Sequence, residues 1–160
     1  MLRKSVEQPL IANQLQLSLT NTGMIDAGLN VTWRLTRPSC ATAASWSTAV
    51  SHDITIQPWS PFQYGFFEGV FLDNDKFPEL NQAIDAMAAE KGVTNSAIAI
   101  AWLLRHPAQM QPILGTTTPQ RAISPPPAEV EMSREEWYAL YLAAGNKAAV
   151  GGRTRLRSED

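Results

Sequence analysis

Two stretches of this 160-residue chain bring together residue types whose spacing could do chemistry. The first is Gln57-Pro58-Trp59-Ser60-Pro61-Phe62, preceded by the β-branched run Ile54-Thr55-Ile56, which reads as a short strand. In α/β folds ligands bind beyond the carboxyl ends of strands, so an aromatic followed by a hydroxyl could stack on a flat ring and bond a phosphate or amide. The plainer reading is a core Trp and a Pro turn. The second stretch is Gly115-Thr116-Thr117-Thr118-Pro119-Gln120-Arg121. A Gly ends an apolar run, hydroxyls follow, and Thr118-Pro119 marks a helix start with Pro at its first position. A helix N-terminus with hydroxyls and an Arg makes an anion site, and the plainer reading is an ordinary cap with a surface Arg. Together the two stretches suggest a ring-binding place and a phosphate-binding place, the outline of a nucleotide.

Other reactive residue types carry less. His52-Asp53 has no second His motif to complete a metal set and reads as a polar approach to a strand. His106, between Arg105 and Pro107 at a helix end, reads as a favourable partner of the helix dipole. Cys40 has no His nearby, which argues against a catalytic thiol. Glu135-Glu136 fits a charged first helical turn.

The elements that must position these residues follow from periodicity. Gln14 to Leu19 alternates polar and apolar residues as a strand does, and Thr20-Asn21-Thr22-Gly23 ends it as a turn. Ile54–Gln57, closed by Pro58, and Gln111–Gly115 are two further short strands. Pro78 opens a helix that Gly92 closes, with Leu80, Ile84, Met87 and Ala88 on one face. Thr94 caps a second helix, stopped by Pro107. Ser133 and Glu136 form a capping box for a third, stopped near Gly145. Strands alternating with helices predict an α/β fold with a parallel sheet.

Composition sets outer limits. Apolar residues at 44%, with five Trp, can build a modest core. Thirteen basic against fifteen acidic residues, net −2, excludes a binder driven by attraction to nucleic acid. One Cys excludes a disulfide framework and a Cys-based zinc cluster. No apolar run approaches the roughly 18 residues of a membrane span, and the N-terminus lacks a signal-peptide pattern. The expectation is a cytoplasmic protein without membrane or nucleic-acid partners. Residues 31–50 have no clear period, and the tail 148–160 is Gly/Arg-rich. Both read as loop or disorder.

The strand with Asn13-Gln14, then Trp59-Ser60-Pro61-Phe62, then Ile113-Leu114-Gly115 through Arg121 resembles the C-terminal part of the aldo/keto reductases. Glu135-Glu136-Trp137-Tyr138 with Gly145-Asn146-Lys147 is similar to a bacterial subgroup. The resemblance covers about Pro9–Val31, His52–Arg121 and Glu129–Lys147, and makes residues 1–147 one partial domain with a disordered tail at 148–160. It implies a partial (β/α)8 barrel, strands six to eight with their helices, and NADP(H)- or NAD(H)-dependent reduction of a small carbonyl substrate. The implied cofactor-binding set is Gln14, Trp59, Ser60, Pro61, Phe62, Gly115, Thr116, Thr117, Gln120 and Arg121. Within it, Gln14 bonds the nicotinamide carboxamide, Trp59 stacks on the nicotinamide, Ser60 and Phe62 line the pyrophosphate path, and Gly115 to Thr117 with Arg121 meet the adenosine end. Many relatives carry Lys at Gly115, which leaves NADPH and NADH both open.

No catalytic residue is implied, because the family's Asp, Tyr, Lys and His belong to the first half of the barrel, and Tyr64, Tyr138 and Tyr141 lie in other motifs. The chain is therefore expected to be inactive alone. The alternatives are a truncated or frameshifted remnant and a half-barrel completed by a second chain with the N-terminal strands. A one-base frame shift across Thr32–Ala49 would restore a polar, Gly-containing loop. Ala122–Ala128, with three consecutive prolines, interrupts the expected last cofactor helix.

Overall fold

The computed structural model describes residues 8–29, 48–65, 68–115 and 127–146. Two strands, β1 (Ala12–Gln16) and β2 (Thr55–Trp59), pair in parallel, with Gln14 opposite Gln57 and Gln16 opposite Trp59. The helices are α1 (Gly23–Leu29), α2 (Pro78–Lys91), α3 (Asn95–Leu104) and α4 (Arg134–Ala143), with a 3₁₀ turn at Pro127–Glu129. The α/β architecture and the parallel pairing agree with the sequence reading.

The strands differ from it in their ends, each for a physical reason. The alternation from Gln14 to Leu19 predicts a strand to Leu19, yet β1 ends at Gln16. Its partner runs out there. Ser60, just past Trp59, takes φ 52° and turns β2 away, and Leu17 and Leu19 become fully buried loop residues. Pro58 was expected to close β2, but the strand runs through it. The Thr55 amide donates to the Ile11 carbonyl at 3.0 Å, so in a parallel ladder the odd-numbered amides of β2 face β1. The nitrogen of Pro58 faces the other side, and no bond to β1 is lost.

That same geometry accounts for the third expected strand. Residues 111–115 are not a strand. They lie along β2 through two backbone bonds, Gln111 N–H to the Ile56 carbonyl at 2.9 Å and Ile113 N–H to the Pro58 carbonyl at 2.8 Å. The reciprocal donor to Gln111 would be the amide of residue 58, which proline lacks.

The helices form where their caps direct. Pro78 occupies the first turn of α2, and Gly92 closes it in the left-handed region at φ 65°. The Thr94 side chain accepts from Ala97 N–H to start α3. Ser133 and Glu136 make the reciprocal capping box of α4, at 3.1 and 2.6 Å. The Lys91 ammonium lies 2.7 Å from the Glu136 carboxylate, joining α2 to α4 and holding that carboxyl below its usual pKa.

The core lies between one sheet face and the helices. Ile56 and Pro58 of β2, with Leu15 of β1, turn toward Leu80, Ile84, Ile98 and Leu103. Trp102 and Trp137 stack at 4.7 Å and 9°, and each indole N–H donates to the other's backbone carbonyl, at 3.1 and 3.0 Å. This locks α3 to α4. The end of the unpatterned 31–50 stretch is ordered: residues 48–51 form a helical turn and Ala49 is buried. Residues 30–47 and the tail 147–160 lie outside the described residues.

Candidate functional site

Alternation along both strands sends Gln14 and Gln16 of β1, and Thr55, Gln57 and Trp59 of β2, to the face that no helix among the described residues covers. This face, with the loops beyond the strand ends, is the candidate site. Its polar side chains are linked. Gln14 Nε2 donates to Gln57 Oε1 at 3.1 Å, and Gln57 Nε2 donates to Gln111 Oε1 at 2.8 Å. Three amides thus form one chain across β1, β2 and the 111–115 segment. Gln16, opposite Trp59, has its Nε2 buried and without a hydrogen-bond partner.

The loops at the carboxyl ends are tied to each other. Ser18 Oγ, at the end of β1, donates to the Gln63 carbonyl at 2.7 Å, and Gln63 N–H donates to the Ser60 carbonyl at 3.0 Å. Phe71 N–H closes on the Phe62 carbonyl at 2.9 Å. The positive φ of Ser60 sets the direction of this turn. Pro61 is buried and Phe62 packs against the core.

Of the residues expected in the site, the structure brings together Gln14 and Trp59 on one face, with Ser60, Pro61 and Phe62 following directly. Gly115 lies exposed at the end of its segment with φ 58°, in open space. A Lys at this φ would be strained, which suits glycine here. Thr116, Thr117, Gln120 and Arg121 lie outside the described residues. The sequence reading assigned no site role to Gln16, Gln57 or Gln111. Their signal was polar amides at alternating positions, and only the register shows that they meet.

The tyrosines are engaged elsewhere. Tyr141 donates to Asp26 at 2.5 Å, and burial, then Asp26, pushes its hydroxyl well above its ordinary pKa, which suits a structural donor. Tyr64 accepts from Lys76 at 3.2 Å and packs on Phe77. Arg134 lies over the ring of Tyr138, 5.7 Å from its centroid. His106 departs from the dipole reading. Its Nδ1 accepts from Ala108 N–H at 3.1 Å and burial lowers its pKa, so the neutral ring is favoured over a cation. The exposed His52 ring bonds the Thr48 carbonyl at 3.0 Å, and no group of three metal-ligating residues exists among the described residues. No helix among them is long and apolar enough to cross a membrane. Cavities of about 740 and 380 Å³ are lined by residues of all four helices and the loops beside them, and by none of the glutamines of the candidate site.

Residues 33–124, more than half of the chain, match the aldo/keto reductase family, a range that runs across 33–50. A 6-dehydroglucose reductase of Agrobacterium fabrum is 30% identical over 154 residues, covering 93% of this chain and 44% of that protein. A 6-dehydroglucose reductase of Novosphingobium aromaticivorans is 31% identical over 109 residues, 68% of this chain and 35% of that protein. The uncharacterized oxidoreductase YcsN of Bacillus subtilis is 26% identical over 147 residues, 89% of this chain and 42% of that protein. The chain spans less than half the length of these relatives. This chain belongs to the aldo/keto reductase family.

Proposed function

We propose that the chain is the cofactor-binding part of an NADP(H)- or NAD(H)-dependent carbonyl reductase, corresponding to strands six to eight of a (β/α)8 barrel, and that it does not turn over alone. One observation carries this reading: the Gln14 amide and the Trp59 ring share the uncovered face of adjacent parallel strands. They are one strand and two residues apart, about 8 Å between Cα atoms from strand spacing and rise. That separation suits a flat ring bearing a carboxamide. The buried, unpartnered Gln16 Nε2 beside Trp59 fits a ligand that supplies an acceptor. When bound, the nicotinamide supplies the hydride. Trp59 stacks on it, Gln14 holds its carboxamide, and Ser60, Pro61 and Phe62 border the path toward Gly115, Thr116, Thr117, Gln120 and Arg121. The proton donor is not among these residues, and the tyrosines described are bound into other contacts.

Calorimetric titration with NADP(H) and NAD(H) tests the reading. Binding is expected, and Trp59→Ala weakens it about tenfold or more, since ring stacking contributes about 1–3 kcal/mol. No carbonyl-dependent NADPH oxidation is expected from the chain alone. Failure to bind either cofactor at millimolar concentration, or equal binding by Trp59→Ala, overturns it.

A second reading is favoured by the edge of β1. In the two-stranded sheet its outer side pairs with no strand among the described residues, and an open edge is a template for pairing. In this reading a second chain with the first five strands completes the barrel and supplies the proton donor. Co-expression of the two halves is expected to give a one-to-one complex that oxidises NADPH. Separate elution without turnover refutes it and leaves an inactive remnant.

A further inference from the structure

We propose that Gln57 and Gln111 are positioning residues for Gln14, acting as an amide relay that restrains the Gln14 carboxamide by coupling its orientation to theirs. The inference rests on the cofactor reading above for the identity of the ligand.

A glutamine amide can rotate by half a turn and exchange its donor and acceptor at little cost when it is exposed. Gln14 is exposed, so an unsupported amide would present either group to a ligand. The relay restricts that freedom, because Gln14 can turn only if Gln57 and Gln111 turn with it. Gln14 Nε2 gives one hydrogen to Gln57 Oε1, and Gln57 Nε2 in turn gives one to Gln111 Oε1. Donor and acceptor alternate, so no single amide can turn without breaking a bond.

The backbone holds the three in line. Gln14 and Gln57 are direct partners in the β1–β2 register, and Gln111 is pinned by its own N–H to the Ile56 carbonyl at 2.9 Å. Pro58 gives this arrangement a second reason. Because it lacks an N–H, the 111–115 segment cannot complete a ladder with β2. The side-chain bond from Gln57 to Gln111 is then an additional tie between the two segments. What remains on Gln14 is one N–H and the carbonyl oxygen, the donor and acceptor that a primary carboxamide requires. The relay is therefore a preorganisation device for a carboxamide, and its effect falls on ligand affinity.

The test compares two probes, NADP⁺ and 2′-phospho-ADP-ribose, which has the same adenosine and pyrophosphate but no carboxamide. Gln57→Met and Gln111→Met are each expected to weaken NADP⁺ binding about threefold to tenfold, the equivalent of one net hydrogen bond. Neither is expected to alter 2′-phospho-ADP-ribose binding. Equal weakening of both probes means a merely structural role and overturns the relay, as does no effect on either. If the unaltered chain binds neither probe, the cofactor reading fails. The relay is then decided by the side-chain amide resonances in a ¹⁵N–¹H spectrum. Gln111→Met should shift the Gln14 NH₂ pair two amides away, and an unmoved pair overturns the relay.

Discussion

Trp102 and Trp137 offer a direct measure of what holds the helices over the sheet. Trp102 is fully buried and Trp137 nearly so, at 7% exposure. Each indole donates to the backbone carbonyl of the other, and the rings stack almost parallel. Trp102→Phe keeps an aromatic against Trp137 but removes one donor and part of a bicyclic ring. The lost hydrogen bond costs about 1 kcal/mol. The smaller ring leaves roughly 40 Å³ unfilled, about 1 kcal/mol at the cavity coefficient. The apolar area lost adds about 1 kcal/mol more. The sum is about 3 kcal/mol, which for a chain of this size lowers Tm by roughly 6–12 °C.

Urea and thermal unfolding followed by far-UV circular dichroism read the change. The reciprocal bonds add a second expectation. Trp137→Phe should cost a similar amount, and the double variant should cost less than the two together by about 1 kcal/mol, because both changes dismantle one contact. A loss below about 1 kcal/mol for Trp102→Phe, or strict additivity in the double variant, refutes the claim that this stack clamps α3 to α4.

Two other groups give checks of different kinds. Burial depresses the pKa of His106 below its ordinary value of about 6.5. The unfolded chain therefore takes up a proton that the folded chain resists. The stability His106 contributes is complete above that value and is lost as pH falls through its lowered folded pKa. The urea midpoint should fall more steeply from pH 7.5 to 5.5 in the unaltered chain than in His106→Gln, and parallel profiles count against the burial argument. Ser133→Ala removes the acceptor for Glu136 N–H and should cost about 1 kcal/mol, while Ser133→Thr should retain most of it, both read by thermal unfolding.

The helices were legible because their signals are local. Pro78, Gly92, Thr94 and the Ser133–Glu136 pair each act within one turn of the chain, and each stands where its chemistry directs. Strand ends are decided by the partner strand. Nothing in Gln14 to Leu19 reveals that Ser60 turns away and leaves β1 without a neighbour beyond Gln16. Nor does the sequence show which side of β2 the Pro58 nitrogen faces, although that alone decides whether residues 111–115 can join the ladder. The site divides in the same way. Trp59 and Ser60 were visible as an aromatic and a hydroxyl at the end of an apolar run. Gln14 stands out only through family resemblance, and its links to Gln57 and Gln111 emerge only when the register sets them side by side.

The two faces of the small sheet differ in kind, and Gln16 offers a test of the cofactor reading on the one that no helix among the described residues covers. A face awaiting an apolar partner would carry residues like those of the opposite face, Leu15, Ile56 and Pro58. This one carries amides and a Trp, and three of the amides satisfy one another. The fourth does not, since Gln16 Nε2 is buried with no acceptor, an arrangement that costs about 1–3 kcal/mol. On the cofactor reading, that donor is kept for a ligand. Gln16→Met retains the length and most of the volume while removing the amide. It should raise stability by about 1 kcal/mol and at the same time weaken NADP⁺ binding, two changes of opposite sign read by urea unfolding and by calorimetric titration. A loss of stability would show that the amide is satisfied in solution. A gain in stability with binding unchanged would show that the unpaired donor serves no ligand on this face.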